Sequence, residues 1–114
     1  MDKRFELTVL MDFYAPLLTE HRRQILSLRL EADLTFQEIA DQLGISRQGV
    51  HDLVKRCDRL LLDYEEKLHL LERFQRIKGK IWQIHRLTFT DGQDSQETVR
   101  SSIRQLSNEI LEEL

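Results

Sequence analysis

Apolar positions recur along this chain at helical spacing. Leu7, Leu10, Met11, Tyr14 and Leu18 are separated by steps of three and four, which predicts a first helix over Phe5 to Leu18 with those residues on its inner side. Pro16 interrupts it. A proline removes a backbone N–H and clashes with the preceding turn, so the helix should end or kink near Tyr14. Thr19 then stands where a helix is capped. A second helix should run from Glu20 to Glu31, with Glu20 facing the positive end of the helix dipole and Ile25, Leu26, Leu28 and Leu30 in the core. Residues Ala32 to Leu34 form a connector. No run of β-branched residues alternates with period two, so strands are not expected and the fold class is all-α.

Residues Thr35 to Arg56 read TFQEIADQLGISRQGVHDLVKR, and this pattern is that of a helix-turn-helix. Thr35 and Glu38 make a capping box. Ile39, Ala40 and Leu43 form the apolar side of a short helix, and Gly44 follows where a tight turn needs positive φ. Ile45 is expected to plug the turn, and Ser46 to cap the next helix. Val50, Leu53 and Val54 should face inward, with Ala40 against Val50 where the two helices cross. The outer side of the second helix then carries Arg47, Gln48, His51, Asp52 and Lys55. In DNA readers of this type such residues lie in the major groove, although the same geometry also serves domains that bind protein or RNA.

Beyond the motif the pattern continues. Val50, Val54, Cys57, Leu61, Tyr64, Leu68 and Leu71 are spaced as a heptad seam. With no helix breaker between Ser46 and Lys78, an arm of roughly 30 residues is expected at one residue per 1.5 Å, with Gly79 as its first weak point. A second apolar run, Leu70, Phe74, Ile77, Ile81 and Ile84, lies on a shifted face, as if the arm changed partner. Thr88 to Ser95 reads as a loop with Asp91-Gly92 as turn chemistry. Ser95 or Asp94 should cap a last helix carrying Val99, Ile103, Leu106, Ile110 and Leu114, which either folds back on the arm or packs on a second subunit. The expected organisation is a helix-turn-helix head over residues 1–60, and an arm with a C-terminal helix over 61–114, together one continuous structural unit.

Charge refines this picture. The chain has 114 residues, a net charge of −3, one proline, four glycines and one cysteine. A dedicated nucleic-acid binder usually shows a clearly basic face, and here the near-neutral total conceals a segregation. Arg73, Arg76, Lys78, Lys80 and Arg86 follow one another with no acidic residue among them. Asp91, Asp94, Glu97, Glu109, Glu112 and Glu113 come later, against only Arg100 and Arg104. The lone Cys57 fits a reducing compartment. The chain shows neither an apolar run of membrane-spanning length nor a signal peptide, so a cytoplasmic protein without a membrane partner is expected.

Enzymatic chemistry has little to stand on. Histidines at 21, 51, 69 and 85 lack metal-ligand spacing, and the cysteine has no CxxC partner. There is no phosphate-binding glycine loop and no nucleophile elbow. No catalytic residue, metal or cofactor is therefore assigned. The candidate nucleic-acid contacts are Arg47, Gln48 and His51, with Lys55 and Arg56 for phosphates, since the N-terminal residues of a recognition helix reach deepest. Arg73, Arg76, Lys78, Lys80 and Arg86 form a second candidate basic patch. Trp82, amid those cations, is read first as packing between the arm and the last helix and second as a platform for an unpaired base. Leu61, Tyr64, Leu68 and Leu71 are the candidate seam of a homodimer, though the same seam would also pack on the chain's own helices.

Several segments resemble a known family. Phe13-Tyr14, Leu17-Leu18-Thr19, EIADQLGISRQGVHD over 38–52, Lys55-Arg56 and YEEKLHLLERF over 64–74 are together similar to the YlxM family over about residues 5–78. The head is also similar to region 4 of sigma factors. The first resemblance implies a helix-turn-helix protein, dimeric, acting in or regulating the signal recognition particle pathway. It places Ser46, Arg47, Gln48 and Val50 at the turn and recognition helix. Gly49 departs from that family's usual alanine, at a cost of about 1 kcal/mol in helix propensity, and His51 departs from its frequent tyrosine. Pro16 is a further oddity. The expected function is that of a regulatory or adaptor protein in that targeting pathway, contacting the particle's RNA or proteins. A DNA-binding transcriptional regulator and a purely protein-interacting dimer are the alternatives.

Overall fold

Local signals in the sequence place most of the helix ends. The computed structural model describes residues 2–89 and 95–114, and every regular element among them is helical. Helix α1 (Lys3–Tyr14) passes into a 3-10 turn (Ala15–Leu17) at Pro16. Then come α2 (Glu20–Leu26) with a π-helical turn (Ser27–Glu31), α3 (Phe36–Leu43), α4 (Arg47–Leu68), α5 (Leu70–Leu87) and α6 (Gln96–Glu113). The fold is all-α. The loop expected over Thr88 to Ser95 falls largely outside the described residues, as do Asp91, Gly92 and Asp94.

The chain forms two compact units, Met1–Leu71 and Glu72–Leu114. In the first, Leu7, Leu10, Met11 and Tyr14 of α1 meet Leu18, Leu26, Cys57, Leu61 and Leu71 in one core cluster. Ile25, Ile39, Ala40, Val50 and Val54 make a second, smaller cluster beneath the helix-turn-helix. Each fully buried leucine or isoleucine contributes about 1.5–3 kcal/mol. This core carries the unit past residue 60, because Leu61 and Leu71 both lie within it.

Three expectations need correction here. First, the helix predicted over Glu20 to Glu31 does not stay α-helical to its end. The Ala32 N–H bonds the Ser27 carbonyl at 3.0 Å, so its last turn widens.

Second, the long arm is not one helix. His69 adopts the left-handed conformation (φ 57, ψ 30) and ends α4, whereas α5 runs through Gly79 without interruption. The break is supported from a distance. Tyr14 Oη accepts from the Leu70 N–H at 3.2 Å, and the Glu65 carboxylate accepts from the Leu71 N–H at 3.0 Å. Two donors at the start of α5 that would otherwise lack partners are thereby satisfied.

Third, the seam assigned to a dimer is mostly internal. Leu61 and Leu71 are buried, and Tyr64 packs beside the same cluster with its ring 5.7 Å from that of Tyr14. Only Leu68 of the four candidates is exposed.

In the second unit α5 and α6 run antiparallel, with Arg76 opposite Glu113 and Lys80 opposite Glu109. Ile77, Ile84, Val99, Ile103, Leu106 and Ile110 are half-buried, while Leu114 is exposed. Of the shifted apolar run on α5, Leu70, Phe74 and Ile81 face solvent.

Candidate nucleic-acid interface

The geometry of the reading face begins with its caps. Thr35 Oγ1 accepts from the Glu38 N–H, and the Glu38 carboxylate accepts from the Thr35 N–H, both at 3.1 Å. At the other end of α3, Gly44 takes φ 71 and its N–H bonds the Ala40 carbonyl at 2.9 Å. A β-carbon in that left-handed conformation would be strained. Ser46 Oγ then accepts from the Gly49 N–H at 3.0 Å and starts α4. Ala40 and Val50 are both buried in the cluster between α3 and α4, where a small residue at 40 lets the two helices approach closely. Ile45, expected to plug the turn, is instead 41% exposed.

These elements present Arg47 and Gln48 to solvent on the first turn of α4. Gln48 is steadied by donating its side-chain amide to the Asp52 carboxylate at 3.1 Å, one turn on. His51 differs from its expected state on the open face: it is only half-exposed, and its ring meets the edge of Phe36 at 5.6 Å between centroids. Its Nδ1 is screened from solvent without a hydrogen-bond partner and lies 3.5 Å from Asp52. Arg47, Gln48, His51 and Phe36 line a shallow groove of about 530 Å³.

Phe36 is the residue that sequence reasoning missed. It sits just after the capping threonine, outside the apolar set Ile39, Ala40 and Leu43 that the sequence singles out. It packs at the edge of the smaller cluster and carries the Arg29 guanidinium 4.6 Å above its ring. Arg29 is further held by donating to the Leu34 carbonyl at 3.1 Å. On that side a second groove of about 300 Å³ is lined in part by Lys3, Arg29, Lys55 and Asp58. Lys3 and Arg29 had no local signal, because tertiary folding alone brings them beside α4. Burial pushes the Asp58 carboxyl above its ordinary value, against the pull of Lys55, Lys3 and Arg29. Arg56 is exposed on α4.

The second candidate patch is partly neutralised. Arg76 donates to both Glu113 carboxylate oxygens, at 3.0 and 3.2 Å, Arg73 reaches the same group at 3.8 Å, and Lys80 pairs with Glu109 at 3.7 Å. The Arg76 hydrogen bonds hold Glu113 below the usual carboxylate range. Lys78 instead lies over the Phe74 ring at 5.9 Å, and Arg86 lines a groove of about 540 Å³ between α5 and α6. Trp82, expected between the arm and the last helix, is 55% exposed.

Among the described residues no group of histidine, cysteine and carboxylate side chains could hold a metal, and no helix is long and apolar enough to cross a membrane. A family profile described as "Putative helix-turn-helix protein, YlxM / p13 like" matches residues 1–107. The chain belongs to this UPF0122 family. Its similarity to curated UPF0122 proteins extends from end to end: one from Clostridium novyi is 33% identical over 98% of each chain. One from Clostridium botulinum is 49% identical over 67% of this chain and 70% of its own. One from Acetivibrio thermocellus is 45% identical over 74% and 72% respectively. UPF0122 membership and the capped α3–α4 geometry together support a regulatory, nucleic-acid-binding role.

Proposed function

We propose that this chain is a non-enzymatic, cytoplasmic regulatory protein that binds nucleic acid through the first turns of α4 and acts in the signal recognition particle pathway. The observation that carries the binding is the exposed Arg47–Gln48 pair at the capped start of α4, beside the Phe36–His51 edge. Arg47 has the fork geometry for a guanine edge or a phosphate, and Gln48 that for an adenine edge. Lys55 and Arg56 supply phosphate contacts farther along the same helix. The targeting pathway rests on the YlxM resemblance, with the particle's RNA or proteins as partners. A homodimer belongs to the same reading, formed by exposed apolar side chains of α4 such as Leu62 and Leu68.

Transcriptional regulation through duplex DNA is the second reading. The presentation of α4 by α3 favours it, because that is how helix-turn-helix readers enter a major groove.

A salt titration of binding to signal recognition particle RNA and to a pool of genomic duplex DNA separates the two. RNA preference with a steep salt slope, weakened by Arg47→Ala and Gln48→Ala, is the expected result. Selective enrichment of one duplex replaces the targeting role with transcriptional control. Binding to neither at low salt overturns nucleic-acid recognition and leaves protein partners.

A further inference from the structure

The face of α5 turned away from α6 carries an unusual series of side chains. Phe74, Lys78, Trp82 and His85 follow one another at steps of four, four and three within α5, so they form one stripe on a helix of 3.6 residues per turn, and Phe89 lies two residues past its end. Arg73, Arg76 and Lys80, which pair with α6, project roughly half a turn away around the same axis. The stripe is physically continuous at both ends. Lys78 lies 5.9 Å over the Phe74 ring. Trp82 meets His85 at 5.4 Å, and His85 meets Phe89 at 4.9 Å, both edge to face. Phe74, Trp82 and Phe89 are 47%, 55% and 72% exposed. Leaving Phe74 and Trp82 in water on one helix face, with Phe89 exposed just past its end, is the kind of apolar exposure that marks an interaction surface.

We infer that this stripe is a second, separate binding site that takes unpaired nucleotides of single-stranded RNA, stacking bases on Trp82 and Phe74 and holding their phosphates with Lys78. Three observations favour that occupant. The rings of Phe74, Trp82 and His85 stand on one face with Lys78 between them and the exposed Ile81 at its edge, rings beside a cation as in a stacking platform. From Arg73 to Phe89 there is no acidic residue, so the surface is complementary to a polyanion. Glu109 and Glu113 of α6 pair with the cations of the other side, which leaves them directed away from the stripe. From Phe74 to His85 the stripe covers about 16 Å of helix axis, enough for a few nucleotides. A second copy of the chain fits poorly stripe against stripe, because Lys78 then meets no carboxylate of the segment to receive it.

This site rests on the nucleic-acid reading only in ligand class; it uses residues unrelated to Arg47 and Gln48. Trp82 is the only tryptophan, so its fluorescence reports on stacking directly. The full chain is titrated with a short oligouridylate and, separately, with a blunt RNA duplex. Quenching of Trp82 by the oligouridylate is expected. Trp82→Leu should weaken oligouridylate binding about tenfold, read by anisotropy of the labelled strand. Lys78→Gln should lower its salt slope, and neither substitution should alter duplex binding. Both positions are exposed, and circular dichroism confirms that the variants fold.

Absence of quenching, or wild-type affinity in Trp82→Leu, overturns the site. A Trp82 signal that follows protein concentration without RNA assigns the stripe to a second copy, and a response to polyglutamate alone assigns it to an acidic protein; each also overturns it. Loss of duplex binding in Arg47→Ala with quenching retained supports both sites. Quenching without any duplex binding by the wild type removes the α4 interface and leaves this one standing.

Discussion

The Tyr14 hydroxyl donates to the Glu65 carboxylate at 2.6 Å while accepting from the Leu70 N–H, and this pair joins α1 to the junction of α4 and α5. Tyr14 is fully buried, and burial, reinforced by the Glu65 carboxylate, pushes its phenol up to about 12. Tyr14→Phe leaves the Leu70 amide without its acceptor and should cost about 1–3 kcal/mol in urea unfolding. The folded-state value lies above the ordinary 10.0. The stabilisation is therefore complete below pH 10.0 and is lost as pH rises through about 12. The stability gap between wild type and Tyr14→Phe should close across that interval.

Gly49→Ala should raise stability by up to about 1 kcal/mol, the propensity gain of alanine over glycine within a helix. A β-carbon there would meet Ser46 Oγ at 3.1 Å and Ile45 Cδ1 at 3.9 Å. The first contact is tight, but it is with a hydroxyl that can move a few tenths of an ångström while still capping α4. A melting temperature below wild type would mean that the cap cannot accommodate the shift.

Asp58→Asn should stabilise the first unit at neutral pH. The carboxyl is held above its ordinary value by burial, so ionisation opposes folding once pH exceeds the unfolded-state value. Below that range the carboxyl is neutral in both states and the advantage of asparagine should vanish. Thermal melts of the two proteins at acid and neutral pH supply the comparison.

Glu113→Gln should loosen α6 from α5. Glu113 receives Arg76 and lies near Arg73, and its lowered value means that its contribution is present above the ordinary 4.5 and lost as pH falls through the depressed one. Amide exchange in α6 should speed up in the variant at neutral pH and in the wild type only under acid. Unchanged exchange in both would show that the apolar contacts of Val99, Ile103 and Leu106 hold α6 alone.

What the sequence disclosed depended on how local each cause was. The Thr35–Glu38 capping box, the Thr19 and Ser46 caps, Gly44 and the inner faces of α1, α3 and the first half of α4 rest on neighbours a few residues away, and all were legible. The break at His69 was not, because it has neither glycine nor proline; its determinants are Tyr14, more than fifty residues earlier, and Glu65. The same reason hid Arg29 and Lys3 beside the reading face. Leu61, Tyr64 and Leu71 were readable as an apolar seam, but periodicity alone does not say whether a seam meets its own chain or another. For Trp82 the context of nearby cations was visible, and its exposure was not.

Cys57 is 2% exposed in the core between α1 and α4, and burial raises its thiol above the ordinary value. As the only thiol of the chain, it should be open to a small alkylating reagent only when the packing around it opens. The labelling half-life under native conditions is therefore a clock for the breathing of the first unit. Comparing that clock with and without bound nucleic acid would tell whether ligand grips the open or the closed form.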